Sequence, residues 1–192
     1  TFGQIKHRLG DNIIINMGLR YDEKKRHEGE NIRSVSPRLS AVWIPNNNFD
    51  IKASYSQSFV DAPYWYRYNS LASYSGSRDL KPEYLKSLQL SPSFKFFDNR
   101  LISNSNIFYN QLNDFVYRDP KAKATEPKYR NAGSLNSVGF EQELAFIEKN
   151  YQLRGNLTYQ YVLNGKDYPI TGNSINNVPS LISNLIFDVN PF

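Results

Sequence analysis

The chain has 192 residues and a net charge of +5, and it contains no cysteine, which excludes a disulfide framework and a thiolate metal site. The excess of base is mild and falls short of the dense Lys/Arg patch of a nucleic-acid-binding protein, so no nucleic-acid partner is expected. The mean hydropathy is −0.60 although 15% of the residues are aromatic, and no stretch resembles the roughly 18 apolar residues of a membrane-spanning helix. Strands that cross a bilayer escape this test, because only every second side chain faces lipid.

Taken in chain order, the sequence predicts roughly nine strands, in which apolar or aromatic residues alternate with polar ones. Since side chains alternate across a strand, each would have one apolar and one polar face. Two strands are less regular: the run from Leu101 to Leu112 has apolar residues on both faces, and Pro92 cannot donate to a ladder. The predicted strands cover residues 2–7, 12–21, 38–43, 49–56, 87–96, 101–112, 138–146, 151–162 and 180–188.

Strand length and connection length both favour a membrane barrel. Most of the predicted strands have about 10–12 residues, close to the 9–11 that cross a bilayer and longer than the 5–6 of soluble proteins. Short and long connections alternate, as they do in outer-membrane barrels, whose periplasmic turns are short and whose extracellular loops are long. The short turns cover residues 8–11, 45–48, 98–100 and 148–150, and the long loops cover residues 23–34, 60–83, 113–135 and 164–177.

These features predict an all-β fold, namely an antiparallel transmembrane β-barrel segment of about nine strands from a larger barrel. Nine is an odd number, whereas single-chain bacterial barrels have an even number of strands. A strand that opens at Asn176–Pro179 lies near the end of the chain. Because unpaired strand edges are not tolerated in lipid, we expect missing neighbouring strands on both sides.

The order of short motifs resembles the second half of a TonB-dependent receptor barrel. Each motif is weak alone, but seven in the right order across nearly the whole chain are fairly specific. Val60-Asp61 before Ala62-Pro63 adds one residue to the usual spacing of the loop entry. The motifs are Gly18–Asp22, Ser36–Leu39 with Trp43 and Pro45, Tyr55–Phe59 with Ala62-Pro63, Leu80–Glu83, Ile107–Asn110 with Asp114, Asn131–Gly133 with Gly139–Glu141, and Asn177–Pro179.

The resemblance implies that residues 1–192 are part of a TonB-dependent receptor barrel in the bacterial outer membrane, without its plug domain and remaining strands. It implies TonB-dependent uptake of a scarce nutrient, which could be a ferric siderophore, haem, a corrinoid or a glycan. TonB would act through the plug. No enzyme activity, cofactor or metal is expected, and His7 and His27 lack metal-ligand spacing.

The polar strand faces are predicted to line the barrel lumen, toward plug or water. Generic solvation and salt bridging of the plug weigh more than a substrate path. Glu141 and Glu143 lie at i and i+2, which would also suit paired glycosidase carboxylates, but nothing in the sequence shapes a sugar cleft. The predicted lumen-facing residues are Arg20, Arg38, Lys52, Lys95, Glu141, Glu143 and Arg154.

The loop from Val60 to Glu83 is the candidate ligand-binding segment, since aromatic faces and guanidinium groups bind amphipathic ligands by stacking and charge. The alternative is that these aromatics sit at the membrane interface or pack between loops. The charged loop from Glu23 to Arg33 is a candidate contact for anionic lipopolysaccharide, against the commoner case of a solvated loop. The candidate ligand-binding residues are Tyr64, Trp65, Tyr66, Arg67, Tyr68, Tyr74 and Arg78.

Two other classes of protein remain open at this point. One is a different outer-membrane barrel, such as a porin or an adhesin. The other is a soluble all-β carbohydrate-binding module that uses the Tyr/Trp loop as its platform. In that module the apolar strand faces would meet in a dry core between two sheets, whereas in a barrel wall they would face outward.

Overall fold

The computed structural model describes residues 1–119, 121–166 and 179–189, and for Lys166 it describes the backbone alone. Nine strands form one antiparallel sheet in the order β1-β2-β3-β4-β5-β6-β9-β10-β11, and β7 and β8 form a separate ribbon. The strands are β1 (Phe2–Leu9), β2 (Ile13–Lys24), β3 (Ile32–Asn46), β4 (Phe49–Val60), β5 (Glu83–Phe96), β6 (Leu101–Asn113), β7 (Val116–Arg118), β8 (Tyr129–Asn131), β9 (Ser134–Ile147), β10 (Tyr151–Lys166) and β11 (Leu181–Val189).

The nine strands of the large sheet confirm the predicted all-β fold and the predicted strand count. They contain 8 to 16 residues each, mostly well above the 5–6 that are usual in soluble proteins. The sheet is open, with β1 and β11 as its edges among the described residues. Pro92 lies inside β5 as predicted, and the ladder to β6 is interrupted there, between the pairs Leu90↔Ile107 and Ser93↔Asn104. The missing N–H of the proline accounts for that gap.

One face of the sheet is apolar, and no second sheet of the described residues covers it. The register places Met17 beside Leu39 and Leu39 beside Tyr55, so the apolar rows run continuously across the strands. Leu19 is 56% exposed. Phe94, Leu153, Leu157 and Tyr159 are also exposed, and Ile51 is half-buried. A sandwich would bury these side chains, so the described fold is a single wall.

Short and long connections alternate, as predicted, wherever the structure describes both ends. Residues 10–12, 47–48, 97–100 and 148–150 form the short turns, and left-handed backbone at Gly10, Asp98 and Asn99 allows two of them to reverse tightly. Consecutive antiparallel strands therefore place all short turns at one end and all long connections at the other. The predicted loop 164–177 and the strand start at Asn176–Pro179 fall largely on residues 167–178, which lie outside the described residues.

The first long connection is shorter than predicted, because residues 23–24 and 32–34 belong to strands. Glu23 and Arg33 are cross-strand partners joined by an ion pair of 3.4 Å. Opposite charges facing each other across two strands stabilise the pairing. Part of the charged segment that was predicted as a loop therefore belongs to the paired ends of β2 and β3.

The long connections carry the small elements and the only buried apolar cluster of the described residues. The short helix α1 (Tyr64–Tyr68) and a 3-10 turn (Ala72–Tyr74) lie between β4 and β5, and the β7–β8 ribbon lies between β6 and β9. Neither α1 nor the ribbon was predicted. Among the described residues, no helix is long and apolar enough to span a membrane.

Candidate functional site

Three long connections pack into one cluster at the end of the sheet opposite the short turns. We call them L1 (residues 25–31), L2 (residues 61–82) and L3 (residues 114–119 and 121–133). Ala62 and Leu80 of L2 and Val116 and Tyr129 of L3 form its buried apolar centre. Tyr66 of α1 stacks on Tyr129 with ring centroids 4.2 Å apart. The cluster therefore has a small core of its own, which fixes the loops against each other.

Arg67 ties L1 to L2 from inside this cluster. Arg67 is only 3% exposed, and its Nη2 donates to the carbonyl oxygens of Glu28 at 3.0 Å and of Arg78 at 2.7 Å. Gly29 allows this approach, since it has a φ of +87° and a Cβ there would lie 3.1 Å from the same Nη2. The guanidinium thus joins the backbones of L1 and L2, which do not pair with each other as strands.

Asp61 makes a second tie between L1 and the start of L2. Its carboxylate forms ion pairs with Lys24 at 2.8 Å and with Arg26, and the Asp61 and Arg26 side chains are 5% and 7% exposed. Burial works to raise the pKa of Asp61, but the hydrogen bonds and charges of Arg26 and Lys24 outweigh it, so the pKa lies below its ordinary value. The carboxylate is therefore ionised throughout the neutral and mildly acid range.

Two of the sequence motifs meet at the base of L2 and L3. The side-chain amide of Asn131 accepts from the Lys81 N–H at 2.8 Å and donates to the Lys81 and Asp114 carbonyl oxygens at 3.1 and 2.5 Å. The Glu83 carboxylate accepts from the Val116 N–H at 2.6 Å. Where the backbone leaves the sheet, these side chains replace inter-strand backbone hydrogen bonds with side-chain hydrogen bonds. The motifs marked these positions, but sequence reasoning did not identify this bracing role.

The predicted ligand-binding residues divide into an exposed and an enclosed group. Tyr64 is 71% exposed and Trp65 and Tyr74 are also exposed, and Arg78 reaches solvent while pairing with Glu28. Tyr66 and Arg67 lie inside the cluster, where they stack and donate as described above. Tyr68 is half-buried, with its ring 4.5 Å from Tyr64 and its hydroxyl donating to Glu28 O at 3.3 Å. Ligand contact by all seven stays a prediction, and the exposed group is its accessible part.

Arg118 is a further exposed cation that sequence reasoning missed. Its guanidinium carbon lies 4.7 Å from the centre of the Tyr74 ring, and its Nη2 donates to Ser73 O at 3.0 Å. Arg118 comes from β7 of L3, so no signal near Tyr74 in the sequence could have indicated this pairing. It adds a positive charge to the exposed aromatic surface.

A cleft of about 440 Å³ lies between L1 and L2. Three of the four cations around it already form ion pairs, Arg26 with Asp61, Arg33 with Glu23 and Arg78 with Glu28, so the cleft has no clear excess of positive charge. Among the described residues, no group of three His, Asp or Glu side chains is placed to hold a metal ion. The charged side chains that line the cleft are Arg26, Glu30, Arg33, Arg78, Asp79 and Lys81.

The seven predicted lumen-facing residues all lie on the polar face of the sheet. The register pairs Gly18 with Arg38 in one ladder and Glu141 with Thr158 in another, and the same parity extends across all nine strands. Arg20 pairs with Asp22 and Arg154 with Asp188, and Glu141 accepts from Asn106 at 2.9 Å. Of these seven, Arg38, Lys52, Lys95 and Glu143 form no side-chain ion pair or hydrogen bond with the residues that the structure describes. That this face lines a lumen stays a prediction.

Long antiparallel strands, an exposed apolar face, a polar opposite face and loops clustered at one end define a segment of a transmembrane-type barrel wall. A family model described as "TonB dependent receptor-like, beta-barrel" matches residues 1–190. The chain therefore belongs to the TonB-dependent receptor β-barrel family, whose barrels lie in the bacterial outer membrane. This membership confirms the resemblance and does not favour the carbohydrate-binding module or the porin and adhesin alternatives. In a direct comparison with curated protein sequences, none matched.

Solved structures of transporters and receptors share the fold. The siderophore receptor PirA from Acinetobacter baumannii has a TM-score of 0.75 at 18% identity, over 100% of this chain and 31% of its own. The ferripyoverdine receptor of Pseudomonas aeruginosa, bound to ferripyoverdine, has a TM-score of 0.71 at 18% identity, over 96% and 24%. The FrpB iron transporter from Neisseria meningitidis has a TM-score of 0.66 at 17% identity, over 84% and 25%. The chain thus spans a quarter to a third of the length of these proteins.

Proposed function

We propose that the protein to which this chain belongs takes up a scarce nutrient across the outer membrane with energy from TonB, and that its cargo is a ferric siderophore. The family membership of residues 1–190 carries the transport proposal. Neighbours described as siderophore receptors and as an iron transporter favour iron over the other cargoes of the family. In this proposal the chain forms part of the wall around a plug domain and catalyses no reaction.

The ligand would first meet the exposed group of the loop cluster. Tyr64, Trp65 and Tyr74 offer flat apolar faces, and Arg78 and Arg118 place cations beside them. A ferric chelate with aromatic or anionic groups would stack on such rings and be held by such charges. Tyr66 and Arg67 would support the surface from within the cluster, without touching the ligand.

The test is cargo-dependent growth of an iron-starved host that carries the full-length receptor as its sole uptake route. Ferric siderophores should restore growth, whereas haem, a corrinoid or a glycan should not. Trp65→Ala and Tyr64→Ala together should weaken siderophore binding by about 5–150-fold, since stacking on each ring contributes about 0.5–1.5 kcal/mol. Phe97→Ala is the matched control, because Phe97 is an equally exposed aromatic at the short-turn end.

Several results would contradict the proposal at different levels. Growth on haem, a corrinoid or a glycan alone would show that the cargo is that compound and not a ferric siderophore, and the transport proposal itself would still hold. Uptake that persists without TonB would contradict TonB as the energy source and would favour a porin. Equal loss in Phe97→Ala would show that the aromatic loop surface has no special part in binding.

The remaining partners follow from the proposed location. The unpaired Arg38, Lys52 and Glu143 of the polar face would meet the plug domain or lumen water. L1 and the cleft beside it would lie above the outer leaflet, near the anionic head groups of lipopolysaccharide. A plug-deleted receptor should therefore show increased solvent reactivity at a cysteine introduced at Ser91, the cross-strand neighbour of Lys52 on the same face, and unchanged reactivity there would contradict a lumen-facing role.

A further inference from the structure

Two hollows of opposite charge lie on the polar face of the sheet. The first has a volume of about 420 Å³ and lies mainly over β2, β3 and β4, and the charged side chains that line it are Arg38 and Lys52. The second has a volume of about 360 Å³ and lies mainly over β6, β9 and β10, and its charged side chains are Glu141 and Glu143. We call them the basic hollow and the acidic hollow. Both volumes fall in the range of about 300–1,000 Å³ that is usual for small-molecule sites.

The basic hollow can receive an anionic group. Its floor includes the cross-strand pair Ser40↔Ser54, whose short side chains leave room above them. Arg38 lies two residues from Ser40 on β3, and Lys52 lies two residues from Ser54 on β4, on the opposite side of the pair. Arg38 and Lys52 are exposed and form no ion pair with the residues that the structure describes, although Asp50 lies two residues from Lys52 on the same face. Two cations and one nearby carboxylate leave a net positive charge.

The acidic hollow can receive a cationic group. Glu141 accepts from the neutral Asn106 amide at 2.9 Å, and Glu143 forms no side-chain ion pair or hydrogen bond within the described part of the chain. Arg154, a cation of β10 on the same face, pairs with Asp188 of β11. The two carboxylates therefore give this hollow a net negative charge.

The two hollows lie in register across the sheet. Lys52 pairs with Ser91 of β5, and the Ser91 hydroxyl donates to the Asn106 side chain of β6 at 2.9 Å. Asn106 pairs in turn with Glu141 of β9. Three strand spacings therefore separate Lys52 from Glu141, which is roughly 14 Å between their backbones. The wall thus keeps opposite charges apart, where closer placement would have neutralised them as ion pairs.

We propose that this face selects an amphoteric cargo, whose anionic group binds in the basic hollow and whose cationic group binds in the acidic hollow, about 10–14 Å away. The inference rests on the proposed uptake function, which leaves the charge of the cargo open. An amphoteric molecule would bind in one orientation, because the reverse orientation places like charges together. A molecule with charge of one sign gains from one hollow alone, so the wall discriminates against it.

The experiment measures the binding of short peptides to the full-length receptor by titration calorimetry, because the two end charges of a peptide can be blocked separately. Tetraalanine spans about 13 Å when extended and can reach both hollows, whereas dialanine spans about 7 Å and cannot. Acetylating the amine of tetraalanine, or amidating its carboxylate, should weaken binding about two- to fivefold, since one solvent-exposed ion pair is lost. Dialanine should bind no more tightly than the blocked peptides.

Charge-removing substitutions assign each end of the peptide to one hollow. Lys52→Gln should weaken the binding of tetraalanine about two- to fivefold, and it should not affect the peptide whose carboxylate is amidated. Glu143→Gln should weaken the binding of tetraalanine to a similar extent, and it should not affect the peptide whose amine is acetylated. Lys95→Gln is the matched control and should leave binding unchanged, since Lys95 is a lysine of the same face that lines neither hollow.

The possible results separate this inference from the proposed function. Absence of tetraalanine binding by the wild type would overturn the inference, and so would effects of Lys52→Gln and Glu143→Gln that do not depend on which end is blocked. An equal effect of Lys95→Gln would also overturn it, because the two hollows would then have no special part. Uptake of a ferric siderophore without peptide binding would reject the inference alone. Peptide binding with the expected pattern, in a receptor that takes up no iron, would reject the proposed cargo and support the selection of amphoteric molecules.

Discussion

Replacing Arg67 with methionine is the sharpest test of how the loop cluster is held together. The substitution keeps the length and apolar bulk of the side chain but removes the donors to Glu28 O and Arg78 O. A hydrogen bond from a charged group contributes about 1.5–3 kcal/mol, so two contribute roughly 3–6 kcal/mol before any offset. Removing a buried cation that has no anionic partner recovers part of this as desolvation energy. We expect a net loss of about 2–3 kcal/mol in the free energy of local opening, estimated from these terms.

Hydrogen exchange on the full-length receptor measures this loss directly. The Gly76 and Ser77 amides donate to Asn69 O and Tyr66 O, so their protection reports the packing of L2. A loss of about 2–3 kcal/mol should speed their exchange roughly 30- to 150-fold. Strand amides of β9 and β10 should be unaffected, because they are bonded within the sheet.

Arg78→Met is the matched control for Arg67→Met. Arg78 is also an arginine of L2 bonded to L1, but its ion pair with Glu28 is solvent-exposed, and such pairs contribute about 0–1 kcal/mol. Exchange at Gly76 and Ser77 should therefore change less than about fivefold in this variant. Equal effects of the two substitutions, or no effect of either, would refute the view that the buried guanidinium organises the cluster.

Three further predictions concern the ties around the cluster and the wall beneath it. Asn131→Ala removes three hydrogen bonds and should destabilise the base of L2 and L3 by about 2–3 kcal/mol, seen as faster proteolysis within L3 than in Asn110→Ala. Because the folded-state pKa of Asp61 is lowered, its stabilisation is complete above the unfolded value near 3.8 and is lost as pH falls below it. Exchange in L1, corrected for intrinsic rates, should thus rise below about pH 4 in the wild type, whereas Asp61→Asn should exchange fast at every pH. Gly139→Ala should cost about 1–3 kcal/mol in urea unfolding, because the new Cβ overlaps the Phe108 ring, and Phe108→Leu should relieve it; additive effects would contradict that contact.

The strands were predictable because their signal is local and survives in the folded sheet. Successive side chains of a strand point to opposite faces, so the alternation of apolar and polar residues can be recognised within one strand. Leu153 and Leu157 could therefore be assigned to one face without knowing the neighbouring strands. The prediction was less accurate where charge was used as a sign of a loop. Glu23 and Arg33 are ten residues apart, and they read as loop residues until the register shows that they pair across two strands.

The interior of the loop cluster could not be predicted in the same way. Arg67 bonds to a residue 39 positions away and Ser75 to one 51 positions away, so the sequence around each gives no sign of its partner. Aromatic content alone does not separate Tyr64, which is exposed, from Tyr66, which stacks on Tyr129. A helix of five residues is too short for its periodicity to make that distinction.

The cluster separates the residues that hold the loops from those that can meet a ligand. Ala62, Leu80, Glu83 and Asn131 belong to motifs of the family resemblance, and all four lie in the core or brace the loop bases. Between them, residues 64–78 carry the exposed rings. This segment is attached to L1 and L3 through Tyr66 and Arg67 and through hydrogen bonds of Ser73 and Ser75. The exposed side chains of L2 could therefore be substituted without loss of the cluster core or of the braces at the loop bases, because those contacts do not involve them. It follows that Arg67 should influence ligand affinity only through the order of L2, whereas Trp65 should influence affinity without changing that order.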